Sequence, residues 1–199
     1  MDLTYWLDRR LSLNFFSRAA DEVSIDLLGK VICVVHESLI LTAQIIETEA
    51  YFIHEKASHA SLGFTEKRKA LFMAPGTIYM YHSRAGASLN VSCAGDGNAV
   101  LIKSAIVYPD ESPHPDVVRQ MQIWNPMKHG MSLREVNRLC SGQALLCRSL
   151  RLTVADWDQQ SFNERFFIAQ TEYQPLSIFC TPRLGIPKGR DDHLNLRFI

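Results

Sequence analysis

The chain has 199 residues, 47% of them hydrophobic, with only 10 glycines and 8 prolines, enough apolar surface for one well-buried core and too few breakers for a disordered polymer. Its 21 basic and 21 acidic residues cancel, which argues against a protein held on nucleic acid by net charge alone. The five cysteines, at 33, 93, 140, 147 and 180, are odd in number and form no C-x-x-C pair, so neither a disulfide framework nor a zinc knuckle is indicated and buried thiols are expected.

At the start, "MDLTYWLDRRLSLNFF" puts Asp8, Arg9 and Arg10 where a signal peptide needs an apolar run, and no later stretch could span a bilayer. The expectation is an intracellular protein, cytoplasmic in a bacterium and nuclear in a eukaryote. Ala20, Val23, Leu27 and Leu28 recur at helical spacing, with Ser17 placed to cap the helix and Gly29 to stop it. "VICVVH" and "LILTAQIIETEAYF" are β-branched runs joined by Glu37-Ser38 and predict a hairpin. A polar loop from His54 to Thr65 precedes a short helical stretch to Met73. After Ala74-Pro75-Gly76 come "TIYMY", the turn "HSRAGA", "SLNVSC", the turn "AGDGN" and "AVLIKSAIVY", a meander of three strands. Helices are predicted over 116–124, after a capping box of Ser132 and Glu135, and through "QALLCRSL" behind Ser141-Gly142; "LSIFCT" returns to strand. Strand runs flanked by helices, without βαβ alternation, predict an α+β fold with a largely antiparallel sheet.

Side chains alternate along a strand, so "QIIETEAYF" aims Glu47, Glu49 and Tyr51 one way and Ile46, Thr48 and Ala50 the other. Taken alone, two exposed carboxylates on a half-buried strand are the ordinary case. Tyr79 and Tyr81 likewise share a face, with Met80 opposite. Carboxylates and imidazoles are good ligands for zinc or iron, but no H-E-x-x-H or H-x-x-E-H spacing occurs. Carboxylates at i and i+2 lie roughly 6.6 Å apart at the backbone, inside the range of inverting glycosidases, yet two neighbours on one strand cannot easily flank a sugar. No G-x-S-x-G and no phosphate-binding loop is present. Charge is segregated along the chain: residues 1–50 hold 4 basic and 8 acidic side chains, residues 112–150 hold 5 and 2. Lys67, Arg68 and Lys69 form one cationic cluster, and Arg183, Lys188 and Arg190 another; solvated surface is the plain reading of each.

In order along the chain, "LLGKVI", "IIETEAY", "ASHAS", "LFMAPGTIYMY", "LNVS", "GDGNAVLIKSA", "LCSGQALLC" and "TPRLGI" resemble the pattern of the alkyladenine (3-methyladenine) DNA glycosylase family, from about Leu13 to the terminal "RFI". The resemblance implies a single α+β domain over residues 1–199, with a curved, largely antiparallel sheet flanked by helices and a protruding β-hairpin. It implies a monomer that binds double-stranded DNA from the minor groove, with no membrane partner. Such a protein flips out a damaged purine and hydrolyses its N-glycosidic bond as a monofunctional enzyme of base excision repair, with 3-methyladenine, 7-methylguanine and hypoxanthine as candidate bases. No metal or cofactor is implied. By the same resemblance Glu49 matches the carboxylate that activates water, and Tyr51, His59 and Tyr81 match the rings between which the base stacks, where a cationic purine gains about 1 kcal/mol per good contact. Asn90 matches a side chain that crowds the 2-amino group of guanine. Lys103 stands where an arginine is usual near the backbone of the flipped nucleotide, keeping charge while losing the bidentate fork. Lys67, Arg68, Arg84 and Arg183 are the expected contacts to DNA. Glu47 is expected to do structural work, bonding a backbone amide.

Three departures from the family pattern bear on activity. "YHSRAGASLN" carries no aromatic in its turn, so Arg84 is the expected wedge into the gap left by the flipped nucleotide. Thr65-Glu66-Lys67-Arg68 replaces T-x-R-N, and Gly142-Gln143-Ala144-Leu145 replaces G-P-x-K, removing a cation. With zero net charge, weak and salt-sensitive DNA binding is predicted. The alternative is a catalytically weak or inactive descendant that binds lesions.

Overall fold

The computed structural model describes residues 2–108, 115–127 and 132–199. The β-branched runs pair as the sequence predicts: Val31–His36 (β1) turns at Glu37-Ser38 into Leu39–Tyr51 (β2), with Val31 opposite Gln44 and His36 opposite Leu39. Glu37 takes the positive φ of 53° that such tight hairpin connections require. Ile78–His82 (β3), Ala87–Ser92 (β4) and Ala99–Val107 (β5) form the meander, and Phe166–Ala169 (β6) adds to the outer edge of β1. The order is β3-β4-β5-β2-β1-β6, antiparallel at every pairing. Near the end of the chain Cys180–Thr181 (β7) pairs with Arg197–Phe198 (β8), and β8 docks on β2 at Thr48 and Glu49, beyond the reach of β1. The protein is therefore an α+β fold built on an eight-stranded, largely antiparallel sheet.

Among the described residues five α-helices accompany the sheet: Leu3–Leu7 (α1), Ala20–Asp26 (α2), Pro115–Trp124 (α3), Gln143–Ser149 (α4) and Val154–Trp157 (α5). The main core buries Val23 and Leu27 by α2, Met121 of α3 and Leu146 of α4 against Leu41, Ile45, Met80, Leu89 and Ile102 of the strands. Each such side chain removed from water stabilises the fold by about 1.5–3 kcal/mol before the entropy of ordering it is counted. On the other face a small cluster gathers Trp6 with Val31, Cys33 and Phe167, and a second gathers Ala60, Ala70 and Leu71 with Tyr79 and Ala99. Gly29, at φ 82°, follows α2 and donates its amide to Ile45 O; a Cβ there would come within 2.7 Å of the Tyr173 ring. Among the described residues no helix is long and apolar enough to cross a membrane.

Strict alternation fails at one place in β2. The ladder to β5 runs Ile45↔Ala105, Glu47↔Ser104, Thr48↔Ile102, so Ile46 and Lys103 fall at register shifts without paired partners. Leu41, Ala43 and Ile45 are buried before this irregularity and Thr48 and Ala50 after it, while Ile46 is 38% exposed and does not share their burial. Several other expectations are corrected. Ser17 closes a preceding 3₁₀ turn, Leu13–Phe16, and the N-cap of α2 is Ala19, without a side-chain bond. Ser132 and Glu135 form no capping box: only a 3₁₀ turn, Val136–Arg138, follows, and Glu135 makes no capping bond. The polar loop contains a 3₁₀ turn, His59–Leu62, and the stretch to Met73 is itself 3₁₀, Glu66–Phe72. "LSIFCT" is strand only at β7, and Cys180 is exposed while the other four thiols are buried.

Candidate active site

Glu49 sits where β2 is paired on both edges, opposite Leu101 of β5 and Arg197 of β8. Its backbone is thus fixed from two sides, and its side chain is fully buried. A buried carboxylate is costly unless its charge is met. Here Oε2 accepts a 2.6 Å hydrogen bond from Tyr51 Oη, and Oε1 lies 3.1 Å from the Lys103 ammonium. Lys103 comes from the irregular position of β5 and its side chain keeps 20% exposure. Burial, and then the Glu49 charge and the hydrogen bond to it, push the Tyr51 phenol far above its ordinary pKa, so it remains a donor.

Tyr51 and Lys103, the two partners of the Glu49 carboxylate, border a cavity of about 210 Å³, whereas Glu49 itself lies behind them and is not among the residues that line it. Tyr51, His59, Tyr81, Asn90 and Lys103, each singled out from the sequence, all line it. Tyr79 and Tyr81 stack at 5.4 Å with 29° between planes, and the His59 ring tilts over Tyr81 at 4.4 Å. His59 is carried on the 3₁₀ turn whose N-cap Ser58 accepts from the Ala60 amide. Its Nδ1 lies 3.0 Å from Tyr79 Oη. Ring burial, then the charges of Arg68 and Arg190, lower the His59 pKa and favour the neutral imidazole. Asn90, opposite Tyr79 in the β3–β4 ladder, donates its side-chain amide to Tyr79 O at 3.1 Å. Gly97, at φ 76°, closes one wall, where a Cβ would lie 2.7 Å from Ala60 Cβ. Met80 faces the main core, opposite its tyrosine neighbours.

The cations expected at DNA divide. Arg84 and Lys67 are exposed, and Arg68 is half-buried with Nε on Thr65 Oγ1 and Nη1 on His59 O. Arg183 is a correction. Its side chain is 1% exposed, its Nη2 is 2.5 Å from Glu55 Oε2, its Nη1 donates to Ala50 O at 2.7 Å, and its guanidinium lies 4.4 Å over the Tyr51 ring. A cation so enclosed has no face left for a phosphate. Glu47 does the structural work expected of it, but through the Arg197 guanidinium at 2.5 Å and not through a backbone amide.

Some pocket residues carried no local signal. Gln143, first residue of α4, lines the cavity and reaches toward Ser83 in the β3–β4 turn. Glu55 is buried, accepts from the Phe52 amide and answers a residue 128 positions away. Leu184, Gly185 and Ile186 close the rim within the quoted run "TPRLGI", whose place over the cavity nothing in the sequence specified. Among the described residues no three His, Cys, Asp or Glu side chains gather as ligands for a metal.

Comparison with known proteins bears on this arrangement. A family model described as methylpurine-DNA glycosylase matches residues 14–199. A protein of Pseudomonas aeruginosa is 50% identical over 196 residues, covering 98% of this chain and 82% of the relative. One of Pseudomonas syringae pv. tomato is 51% identical over 187 residues, 94% of this chain and 83% of its own. A Listeria monocytogenes protein is 31% identical over 199 residues, 96% of this chain and 89% of its own. All three carry the provisional name 3-methyladenine DNA glycosylase.

Proposed function

The chain belongs to the methylpurine-DNA glycosylase family, and we propose that it excises alkylated purines from double-stranded DNA, 3-methyladenine foremost, by attack of water on C1′ of a flipped-out nucleotide. The observation that carries this reading is the buried Glu49 carboxylate bonded to Tyr51 and Lys103, two side chains that wall one cavity together with His59 and Tyr81. A carboxylate held there takes a proton from water, and its charge stabilises the oxocarbenium character that develops as the base departs.

The walls suit a cation. Tyr79 and Tyr81 phenols are raised in pKa, chiefly by burial, and so stay neutral, while His59 is biased toward the uncharged imidazole. Electron-rich neutral rings attract a 3-alkyladenine or 7-methylguanine cation by about 1 kcal/mol per good contact and gain nothing comparable from a normal base. Alkylation also makes the base a better leaving group, so little acid assistance is needed. Hypoxanthine, neutral, would be excised more slowly. Asn90, fixed by its bond to Tyr79 O, stands to crowd the guanine 2-amino group. Lys103 holds the charge of Glu49 and faces the sugar end of the cavity, and Lys67, Arg68 and Arg84 serve the backbone and the vacated stack.

The test is base release from duplexes containing 3-methyladenine, 7-methylguanine or hypoxanthine by the parent chain and by Glu49→Gln, scored as abasic sites. The parent releases base; the variant keeps lesion binding and slows release by about 10²–10⁴-fold, the usual worth of a general base. A parent that binds lesions with no more release than Glu49→Gln would make it a lesion binder.

A further inference from the structure

Of the leucines that line the cavity, Leu71 and Leu101 are buried and Leu184 is 59% exposed. Its place in the chain explains the projection. Leu184 and Gly185 form a turn in which Gly185 takes φ 80°, and a Cβ added to Gly185 would meet nothing within 4 Å, so the turn stands at the open lip of the cavity. The chain is held on both sides of this turn. Arg183, just before it, is fixed by Glu55, Ala50 O and the Tyr51 ring, and Ile186, just after it, is half-buried in the cavity lining. An apolar side chain on so firm a base loses little entropy when pressed against a partner. The lip also lies opposite the β3–β4 hairpin: β3 and β4 sit on one side of β2, whereas β7, from which the Leu184 segment leaves, lies beyond β8 on the other.

We infer that Leu184 is an apolar wedge, entering the minor groove against the base pair next to the flipped nucleotide. The inference rests on the base-flipping reading of the cavity and adds to it a contact on the lip that faces the hairpin. A nucleotide entering the cavity passes between these two lips. Its departure costs stacking energy, which proteins of the minor groove recover by inserting Phe, Leu, Ile, Met or Pro at a base step. The hairpin turn, Ser83-Arg84-Ala85-Gly86, offers no such side chain. Leu184 is apolar, exposed and set on a rigid base. The lips thus divide the work: Arg84 reaches the vacated position, and Leu184 leans on the neighbouring pair and keeps it from closing the gap. Burying an aliphatic side chain displaces no counterions, so this contribution does not vary with salt, unlike the contacts of Lys67, Arg68 and Arg84.

The experiment measures binding, so that it does not depend on base release. One duplex carries a single tetrahydrofuran abasic analogue with 2-aminopurine in the adjoining pair, and a second lacks the analogue. Both are titrated with wild type, Leu184→Ala and Leu184→Met, and with Leu176→Ala as an exposed leucine outside the cavity lining, each fold checked by thermal melting. Leu184→Ala is expected to weaken binding to the analogue duplex about tenfold at every salt concentration from 50 to 300 mM, its plot of log K against log salt running parallel to that of wild type. The rise in 2-aminopurine fluorescence that wild type produces shrinks with Leu184→Ala; Leu184→Met restores both readouts and Leu176→Ala alters neither. Equal affinity and fluorescence for wild type and Leu184→Ala overturn the inference, as does a loss of the same size on undamaged duplex or a changed salt slope. Release of 7-methylguanine by wild type, measured in a separate reaction, keeps the two readings apart. Release with Leu184→Ala binding as wild type does removes the wedge alone, and no release alongside a Leu184-dependent preference for the analogue duplex removes the hydrolytic reading alone.

Discussion

Arg183 holds three things at once: the Glu55 carboxylate, the Ala50 carbonyl and the face of the Tyr51 ring. Both partners of its ion pair are 1% exposed, so removing the cation leaves a buried anion with nothing to meet it. Arg183→Met is expected to lower unfolding free energy by about 3–5 kcal/mol in urea titration, and Arg183→Met with Glu55→Gln to recover part of that loss. Base release falls with Arg183→Met as well, because the ring that donates to Glu49 loses the guanidinium that seats it. His59 makes a prediction in pH. Its pKa in the folded chain lies below the ordinary value of about 6.5, so between the two values the unfolded state binds more protons and stability rises with pH. The His59 contribution is thus intact above about pH 7 and is lost as pH falls through 6.5 and toward the folded pKa. Thermal melts should fall further between pH 7.5 and 5 for wild type than for His59→Gln, and base release should fall over the same range, since an imidazolium repels a cationic purine.

At the scale of elements, β2 does most of the positioning, because β1, β5 and β8 between them satisfy it along its length. That much was legible: β-branched runs, a two-residue connection and the P-G and G-D-G turns mark β1 to β5, since each signal is local. β6 was not, because "FFIA" is four apolar residues whose strand character comes only from the open edge of β1. The opposite error arose in "LSIFCT", where Leu176 is fully exposed and just two residues find a partner in β8. The shared faces of Glu49 with Tyr51 and of Tyr79 with Tyr81 were readable from strand period and their roles only from the family resemblance, whereas Glu55–Arg183 and Gln143 depend on tertiary closure and leave no periodic trace. The β3–β4 hairpin belongs to this scale too. Its turn is tied to α4 by Arg148 Nη2 on Ala85 O and by Gln143 toward Ser83, which fixes the frame from which the exposed Arg84 projects. If Arg84 fills the vacated stack, Arg84→Ala slows release of 3-methyladenine from duplex DNA by about tenfold, roughly 1.4 kcal/mol, and leaves release from single-stranded DNA unchanged, as there is no stack to fill. An equal loss on both substrates would assign Arg84 to phosphate instead.

For the whole molecule the governing quantity is how the cations expected at DNA divide between phosphate and partners within the fold. Formal charge is zero, Glu55 holds Arg183 and Glu47 holds Arg197, and Arg190 bonds Lys56 O through Nε and Nη2, beside the Lys56 amide that donates to Asp191. That network stitches the C-terminal segment to the 52–58 loop over the cavity, so cations that look free in the sequence are spent on closing the site. Lys67, Arg68 and Arg84 remain as the expected contacts. Each phosphate neutralised contributes a slope of roughly −0.9 to log K against log salt, so three give about −3, shallow for a protein that must hold a distorted duplex. Fluorescence anisotropy on a lesion duplex between 50 and 300 mM salt should return that slope, and Lys67→Gln should reduce its magnitude by about one and weaken lesion and undamaged DNA alike. A wild-type slope well beyond three would mean that a further cation reaches DNA, either exposed Lys69 or Lys188 or an internally paired arginine that turns outward on binding. The Arg183→Met and Glu55→Gln variants would then separate the two roles, since a residue that merely closes the fold alters stability and leaves the slope where it was.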